Sequence, residues 1–224
     1  MNTSPEYVMK TPWDSRALGM ETYEILDLCQ AAMDEIASLR GHFTIRVNPQ
    51  FPRDILQASG FYYCDTLIEP YCESSRFIYY AHEKASLSRD VPLDRLSAIS
   101  HGAFYGRFHR DFNVPRNLAD LRYDLWLRDL YAEGNVFGLM FENDLAGFLA
   151  YSGHKICLHA LHQAYRGKGL GKFLKGAACK ELFARGHQEL TSSISASNLP
   201  VLNLWSSLGF RFRKSLDVYH KLVK

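Results

Sequence analysis

The sequence predicts an α/β (α+β) protein in two parts, a smaller domain over residues 1–88 and a larger one over residues 89–224. Three observations carry this. Apolar positions switch along the chain between a helical period and strict alternation, so helices and strands interleave. Val136 to Phe141 and Leu145 to Tyr151 are apolar runs joined by Glu142-Asn143-Asp144, the pattern of an antiparallel hairpin. Ser86 to Pro92 is polar and broken by proline, which marks a boundary.

In the first part, Ile25, Leu26, Cys29, Met33, Ile36 and Ala37 form a helical stripe within residues 21–39. Phe43, Ile45 and Val47 alternate as a strand. Asn48 to Phe51 is a turn, and Pro52 suits the first turn of a short helix. Gly60 closes that helix, because glycine takes the left-handed conformation without a Cβ clash. Strands follow at Phe61 to Ile68 and Arg76 to Tyr80. In the second part, residues 93–108 and 117–132 read as helices, with Asn117 as a cap for the latter. After the hairpin comes a strand at 154–162 and a glycine-rich loop. A long amphipathic helix then runs from Leu170 to Gly186. Leu190, Ser192 and Ile194 make a strand, Asn198 caps a helix at 199–208, and two strands at Phe210 to Phe212 and Leu216 to Leu222 finish the chain. Asn48…Pro52…Gly60-Phe61 echoes Asn198…Pro200…Gly209-Phe210, as either a repeated supersecondary unit or coincidence.

The 224 residues suffice for a core without staples. Hydrophobic residues are 47% and charged residues 22%, with a net charge of +2, which argues for neither nucleic acid nor an anionic membrane as partner. The five cysteines form no Cys-x-x-Cys pair, so no metal site and no disulfide framework is expected. With no apolar leader between Met1 and Trp13 and no run of membrane-spanning length, the sequence reads as cytoplasmic.

The loop Arg166-Gly167-Lys168-Gly169-Leu170-Gly171 sits between a strand and a helix. Glycines let backbone approach a ligand, and the first turn of a helix offers unpaired N–H groups and a positive dipole end. Arg166, Lys168 and Lys172 add charge, and the whole suits a pyrophosphate. It is not a Walker loop, since Gly171-Lys172 is followed by Phe173 and not by a hydroxyl residue.

Tyr165 to Gly171 resembles the Gln/Arg-x-x-Gly-x-Gly/Ala motif of the GNAT N-acetyltransferases. Asn198-Leu199-Pro200-Val201-Leu202-Asn203-Leu204-Trp205-Ser206-Ser207-Leu208-Gly209-Phe210 resembles that family's second signature at the expected separation. The resemblance covers about residues 136–224. It implies a GNAT fold with a mixed, mostly antiparallel central sheet, preceded here by a smaller domain resembling a partial GNAT repeat. It also implies acetyl-CoA as co-substrate, no metal, and a homodimer. The backbone of Arg166, Gly167, Lys168, Gly169, Leu170, Gly171 and Lys172 would bind the pyrophosphate. Leu161 would pair with the pantetheine arm and polarise the thioester, and Asn198 would reach the arm from the other side. Pro12 to Gly19, Ser59-Gly60-Phe61 and Arg107-Phe108-His109-Arg110-Asp111 resemble, more narrowly, the dTDP-fucosamine acetyltransferases, which acetylate the amine of a nucleotide-linked deoxyamino sugar.

Such a reaction needs a base for the amine, a hole for the oxyanion and a proton for the departing thiolate. By the narrower resemblance Asp65 is the base, or else an exposed strand carboxylate. The family's acidic tyrosine is Trp205 here, and indole is not a usable acid. Either Tyr219 replaces it or water protonates the thiolate. Arg107 and His109 suit the diphosphate of an acceptor, or else belong to a solvated helix end. Two other functions stay open: acetylation of a different small-molecule or protein amine, and a non-catalytic coenzyme A-binding module.

Overall fold

A computed structural model describes residues 7–224 of the chain, so the first six residues of the N-terminal stretch read above lie outside it. The chain packs as two compact units, neither continuous in sequence. Unit 1 comprises the residues up to Leu67, Tyr105–Arg122 and Ser215–Lys224; unit 2 comprises Ile68–Phe104 and Tyr123–Lys214. The compositional break at 86–92 falls inside unit 2, where Ala85–Ser88 is a strand and Pro92 caps the next helix.

Unit 1 opens with β1 (Val8–Lys10), α1 (Pro12–Leu18), β2 (Thr22–Ile25), α2 (Gln30–Ser38), β3 (Gly41–Val47) and α3 (Arg53–Ala58). It also holds the start of β4 (Tyr62–Glu73) and the end of β11 (Arg211–Val223). β2 pairs antiparallel with β1 and parallel with β3, and β3 pairs antiparallel with β11, with Tyr219 opposite Ile45. The single helix expected over 21–39 is therefore a strand followed by a shorter helix. β-Branched Thr22 and Ile25 fit the pleat, and Tyr23 stacks on Phe43 across the parallel pair at 4.9 Å. Ile25, Ala32, Ile36, Phe43, Ile45, Leu56, Phe61 and Tyr219 form the core of this unit.

Unit 2 contains β5 (Ala85–Ser88), α4 (Leu93–Ser100), most of α5 (Arg116–Ala132), β6 (Val136–Phe141), β7 (Asp144–Ser152), β8 (Lys155–Leu161), α6 (Gly171–Ala184), β9 (Glu189–Ser192), β10 (Ile194–Ser195) and α7 (Leu199–Ser207). Its strands run in the order β4-β9-β8-β7-β6-β5, antiparallel except for β8 and β9. Each face of this sheet has its own core. Leu149, Ile156, Leu174, Ala178, Leu182 and Trp205 cluster with α6 and α7; Phe148, Leu158, Leu96 and Leu127 cluster with α4 and α5. Each such side chain contributes about 1.5–3 kcal/mol on burial.

Four expectations are corrected. The helix expected over 93–108 ends at Ser100, because Gly102 turns the chain at φ +68°. Residues 107–110 form a 3₁₀ turn instead. Arg76 to Tyr80 is not a strand: a 3₁₀ turn at Ser74–Arg76 leads into a loop whose Ile78 N–H donates to the Leu208 carbonyl at 3.0 Å. The last two strands are one, β11, because the polar residues 213–215 stay extended. Asn117 lies inside the first turn of α5 and does not cap it, since the helix starts at Arg116.

The two echoing segments do share a plan, in which a helix ends in a positive-φ glycine that begins a strand. α3 leads through Gly60 (φ +79°) to β4, and α7 leads through Gly209 (φ +90°) to β11. At Gly209 a Cβ would lie 2.3 Å from the Arg76 carbonyl oxygen. Gly209→Ala should therefore destabilise the protein by about 2 kcal/mol or more, read as a lowered melting midpoint.

Candidate active site

The loop after β8 is built by short-range chemistry. His162 caps a 3₁₀ turn, Gln163–Tyr165, accepting from the Ala164 N–H at 3.3 Å. Arg166 Nε donates to the Leu161 carbonyl at 2.7 Å, which closes the base of the loop. Gly167 (φ +73°) and Gly169 (φ +71°) take left-handed conformations, and a Cβ on either would meet nothing within 4 Å. The loop therefore faces open space. Leu170 heads α6 with no side-chain cap. Among the described residues, no backbone N–H from 167 to 172 donates to another protein group. Unpaired donors, two open glycines and a helix N-terminus make an anion cradle. Lys168 stands 6.0 Å from the Tyr165 ring centroid and Lys172 4.8 Å from that of Tyr80, so both cations are held near it.

β8 and β9 are paired only at Lys155–Thr191 and Ile156–Ser192. β8 continues to Leu161 while its partner stops, so a wedge opens beside residues 157–161. On the far side of β8 the ladder to β7 runs on to Leu161 opposite Gly147. Gly147 is required there, because a Cβ would sit 2.4 Å from the Ala160 carbonyl oxygen. Asn198 caps α7, its side chain accepting from the Val201 N–H at 3.4 Å. Trp205 is fully buried and packs against Phe210 and His159.

Residues 102–210, which contain both the cradle and α7, match the model of the acetyltransferase (GNAT) family. This segment belongs to the GNAT acetyltransferases. That assigns the protein to the acyl-CoA-dependent N-acetyltransferase class. Solved structures share the fold at low identity. A tandem GNAT protein from the clavulanic acid biosynthesis pathway has a TM-score of 0.56 and 14% identity, over 90% of this chain and 75% of its own. A GCN5-related N-acetyltransferase from Sphaerobacter thermophilus has a TM-score of 0.62 and 10% identity, over 97% and 76%. A GNAT-family acetyltransferase, described as putative, from Novosphingobium aromaticivorans has a TM-score of 0.57 and 12% identity, over 99% and 91%. No curated protein matches the sequence. The tandem relative fits the repeated plan of the two GNAT-like glycine joints.

In unit 1, the other candidate residues are tied into the interior. Asp65 is 1% exposed. Its carboxylate accepts from the Thr66 N–H at 2.9 Å, the Arg107 N–H at 2.9 Å and the Arg110 guanidinium at 3.3 Å. It is not an exposed strand carboxylate, and at least three of its roughly four acceptor positions are taken. The Arg107 side chain reaches Thr44 Oγ1 at 3.1 Å and His220 Nε2 at 3.4 Å, and its guanidinium stacks on Phe108 at 4.3 Å. His109 pairs with Asp120 at 2.8 Å through Nε2. Both are half-buried and held by these partners, and neither belongs to a solvated helix end. Tyr219 is buried and edge-on to Tyr63, and burial raises its pKa, so its hydroxyl stays protonated at neutral pH.

Tyr219 also lines a cleft of about 520 Å³ with Arg53, Gln57, Phe61, Tyr62, Tyr63 and Thr66. Neither this cleft nor the fully buried His42–Asp111–His220 cluster was read from the sequence. Asp111 Oδ2 meets His42 Nε2 at 2.8 Å and His220 Nδ1 at 2.7 Å, and Tyr62 donates to Oδ1 at 3.0 Å. Because Arg107 donates to His220 Nε2, the proton of that ring sits on Nδ1 and is given to Asp111. These three side chains come from β3, β11 and the segment before α5, about 70 or more residues apart, with no local motif to announce them.

Proposed function

We propose that the protein transfers the acetyl group of acetyl-CoA to a primary amine, and that this amine belongs to a nucleotide-linked (dTDP) deoxyamino sugar. The observation that carries the first half is the row of unpaired N–H groups at 167–172 beside the β8–β9 wedge. The cradle takes the pyrophosphate, with Arg166, Lys168 and Lys172 neutralising it. The free edge of β8 pairs with the pantetheine amides, and the Leu161 N–H polarises the thioester, which supplies the activated acyl carbon. Asn198, at the head of α7, borders the arm.

Unit 1 by itself offers a second small-molecule site, its cleft, whereas Arg107 and His109 are engaged by neighbouring side chains. The volume of the cleft is that of a small-molecule site. Phe61, Tyr62 and Tyr63 offer ring faces for a base or sugar, and Arg53, with a 65% exposed side chain, offers a fork for phosphate. Asp65 holds the Arg107–Arg110 turn, and the amine proton leaves to water. Tyr219 is a wall of the cleft.

The test is thiol release from acetyl-CoA with a dTDP-4-amino-4,6-dideoxy sugar, alongside polyamines and peptides. Turnover with the nucleotide sugar, and a product heavier by one acetyl group, supports the proposal. Turnover confined to polyamines or peptides overturns the acceptor. Tight acetyl-CoA binding without turnover on any amine overturns catalysis and leaves a binding module.

A further inference from the structure

Three polar groups enter the α6–α7 core of unit 2 without a use in the scheme above. Lys175 lies on α6 within the apolar stripe Leu174, Ala178, Cys179 and Leu182 and is 4% exposed. Among the described residues its ammonium has neither a hydrogen bond nor an ion pair. His159 on β8 has an enclosed Nδ1 with no partner, and so does the indole Nε1 of Trp205. The two rings meet edge-on at 5.4 Å. Burial first, and then the charge of Lys175, hold His159 neutral with its pKa well below the ordinary value. Burial lowers the Lys175 pKa to about 8; Arg166 lowers it further, and Cys179 acts against this.

Unpaired groups like these cost several kcal/mol in an apolar core. Proteins retain them where a ligand or a reaction uses them. Their position says which. His159 lies beyond Ile156, where β8 has parted from β9, and so borders the wedge. Trp205 occupies the place of the family's acidic tyrosine.

We propose that Lys175 acts through His159 to stabilise the departing coenzyme A thiolate and supply its proton, in place of the tyrosine that Trp205 replaces; this rests on the coenzyme A site proposed above. The amine nitrogen bonds to the thioester carbon, the C–S bond breaks, and its electron pair stays on sulfur. The amine gives one proton to water. Sulfur takes one from the Lys175–His159 pair, which regains it from solvent. The sum is an amide and a free thiol.

The experiment needs no acceptor. Free coenzyme A is bound to the wild type and to Lys175→Met, and its thiolate absorbance is titrated with pH. Complexes with S-methyl coenzyme A serve as blanks, so that the five protein cysteines cancel. The bound thiol is expected to titrate about one to three pH units lower in the wild type than in Lys175→Met. Lys175→Met replaces a lone buried charge by an apolar chain of similar length, so its melting midpoint should hold or rise. Should that variant fail to fold, His159→Gln gives the same comparison, because it removes the link to Lys175. Equal titration with equal coenzyme A affinity overturns the proposal. Failure of coenzyme A to bind the wild type overturns the underlying site instead.

Discussion

Gly169→Glu should abolish coenzyme A binding, with a loss of affinity of at least about 100-fold, or about 3 kcal/mol. Two effects act together. The residue sits at φ +71°, where a side chain strains the backbone by about 1–2 kcal/mol. More importantly, the space above it is open and is where the proposed site puts the pyrophosphate, so a carboxylate there would both fill the cradle and take its N–H groups. Gly169→Ala separates the two effects: it carries the strain without the charge and should lose clearly less. Calorimetric titration with acetyl-CoA reads both. Affinity unchanged in Gly169→Glu would remove the loop from the site.

Acid should destabilise unit 1, and Asp111→Asn should destabilise the protein by about 3–5 kcal/mol at neutral pH. Both follow from the His42–Asp111–His220 cluster. Burial lowers the His220 pKa from 6.5 to about 3, with Arg107 and His42 adding to it and the Asp111 hydrogen bond opposing. Burial alone would raise the Asp111 carboxyl, but hydrogen bonds from His220, His42 and the Asn113 N–H outweigh it and bring it well below its ordinary value. The sign is the same for both. For His220 the unfolded chain takes up a proton below pH 6.5 that the folded chain refuses until about pH 3, so stability falls as pH falls through that window. For Asp111 the loss begins below the ordinary carboxylate range. Urea titrations from pH 7 to pH 4 on the wild type and on Asp111→Asn read the effect as a shift of the midpoint. A pH-independent midpoint would remove the cluster from the stability of this unit.

Local signals are what the sequence carried well. Gly167, Gly169 and Gly209 were legible because a left-handed residue announces itself as glycine. The hairpin of β6 and β7 was legible because two continuous apolar runs, buried on both faces of the sheet, flank a turn at Glu142 and Asn143, both at positive φ. Residues 21–39 were misread because the spacing of Ile25, Leu26 and Cys29 also fits a helix. Only pairing with β3 decides for a strand at Thr22–Ile25. The compositional break at 86–92 marks a change in polarity, whereas the units are defined by contacts that bring residues 105–122 and the C-terminal strand to the N-terminal part.

The sequence by itself carried the GNAT resemblance of about residues 136–224, which overlaps the family match over residues 102–210, and the glycine pattern of the 166–171 loop. Both depend on residues adjacent in the chain, where backbone conformation follows directly from residue type. Only the tertiary structure decided which charged side chains are available. Asp65, Arg107 and His109 looked free in the sequence and are occupied in the fold. Lys175, which no sequence motif singled out, is 4% exposed and has no hydrogen bond or ion pair among the described residues. The reason is that solvation and pairing are set by neighbours distant in sequence, and a side chain's identity carries no record of them.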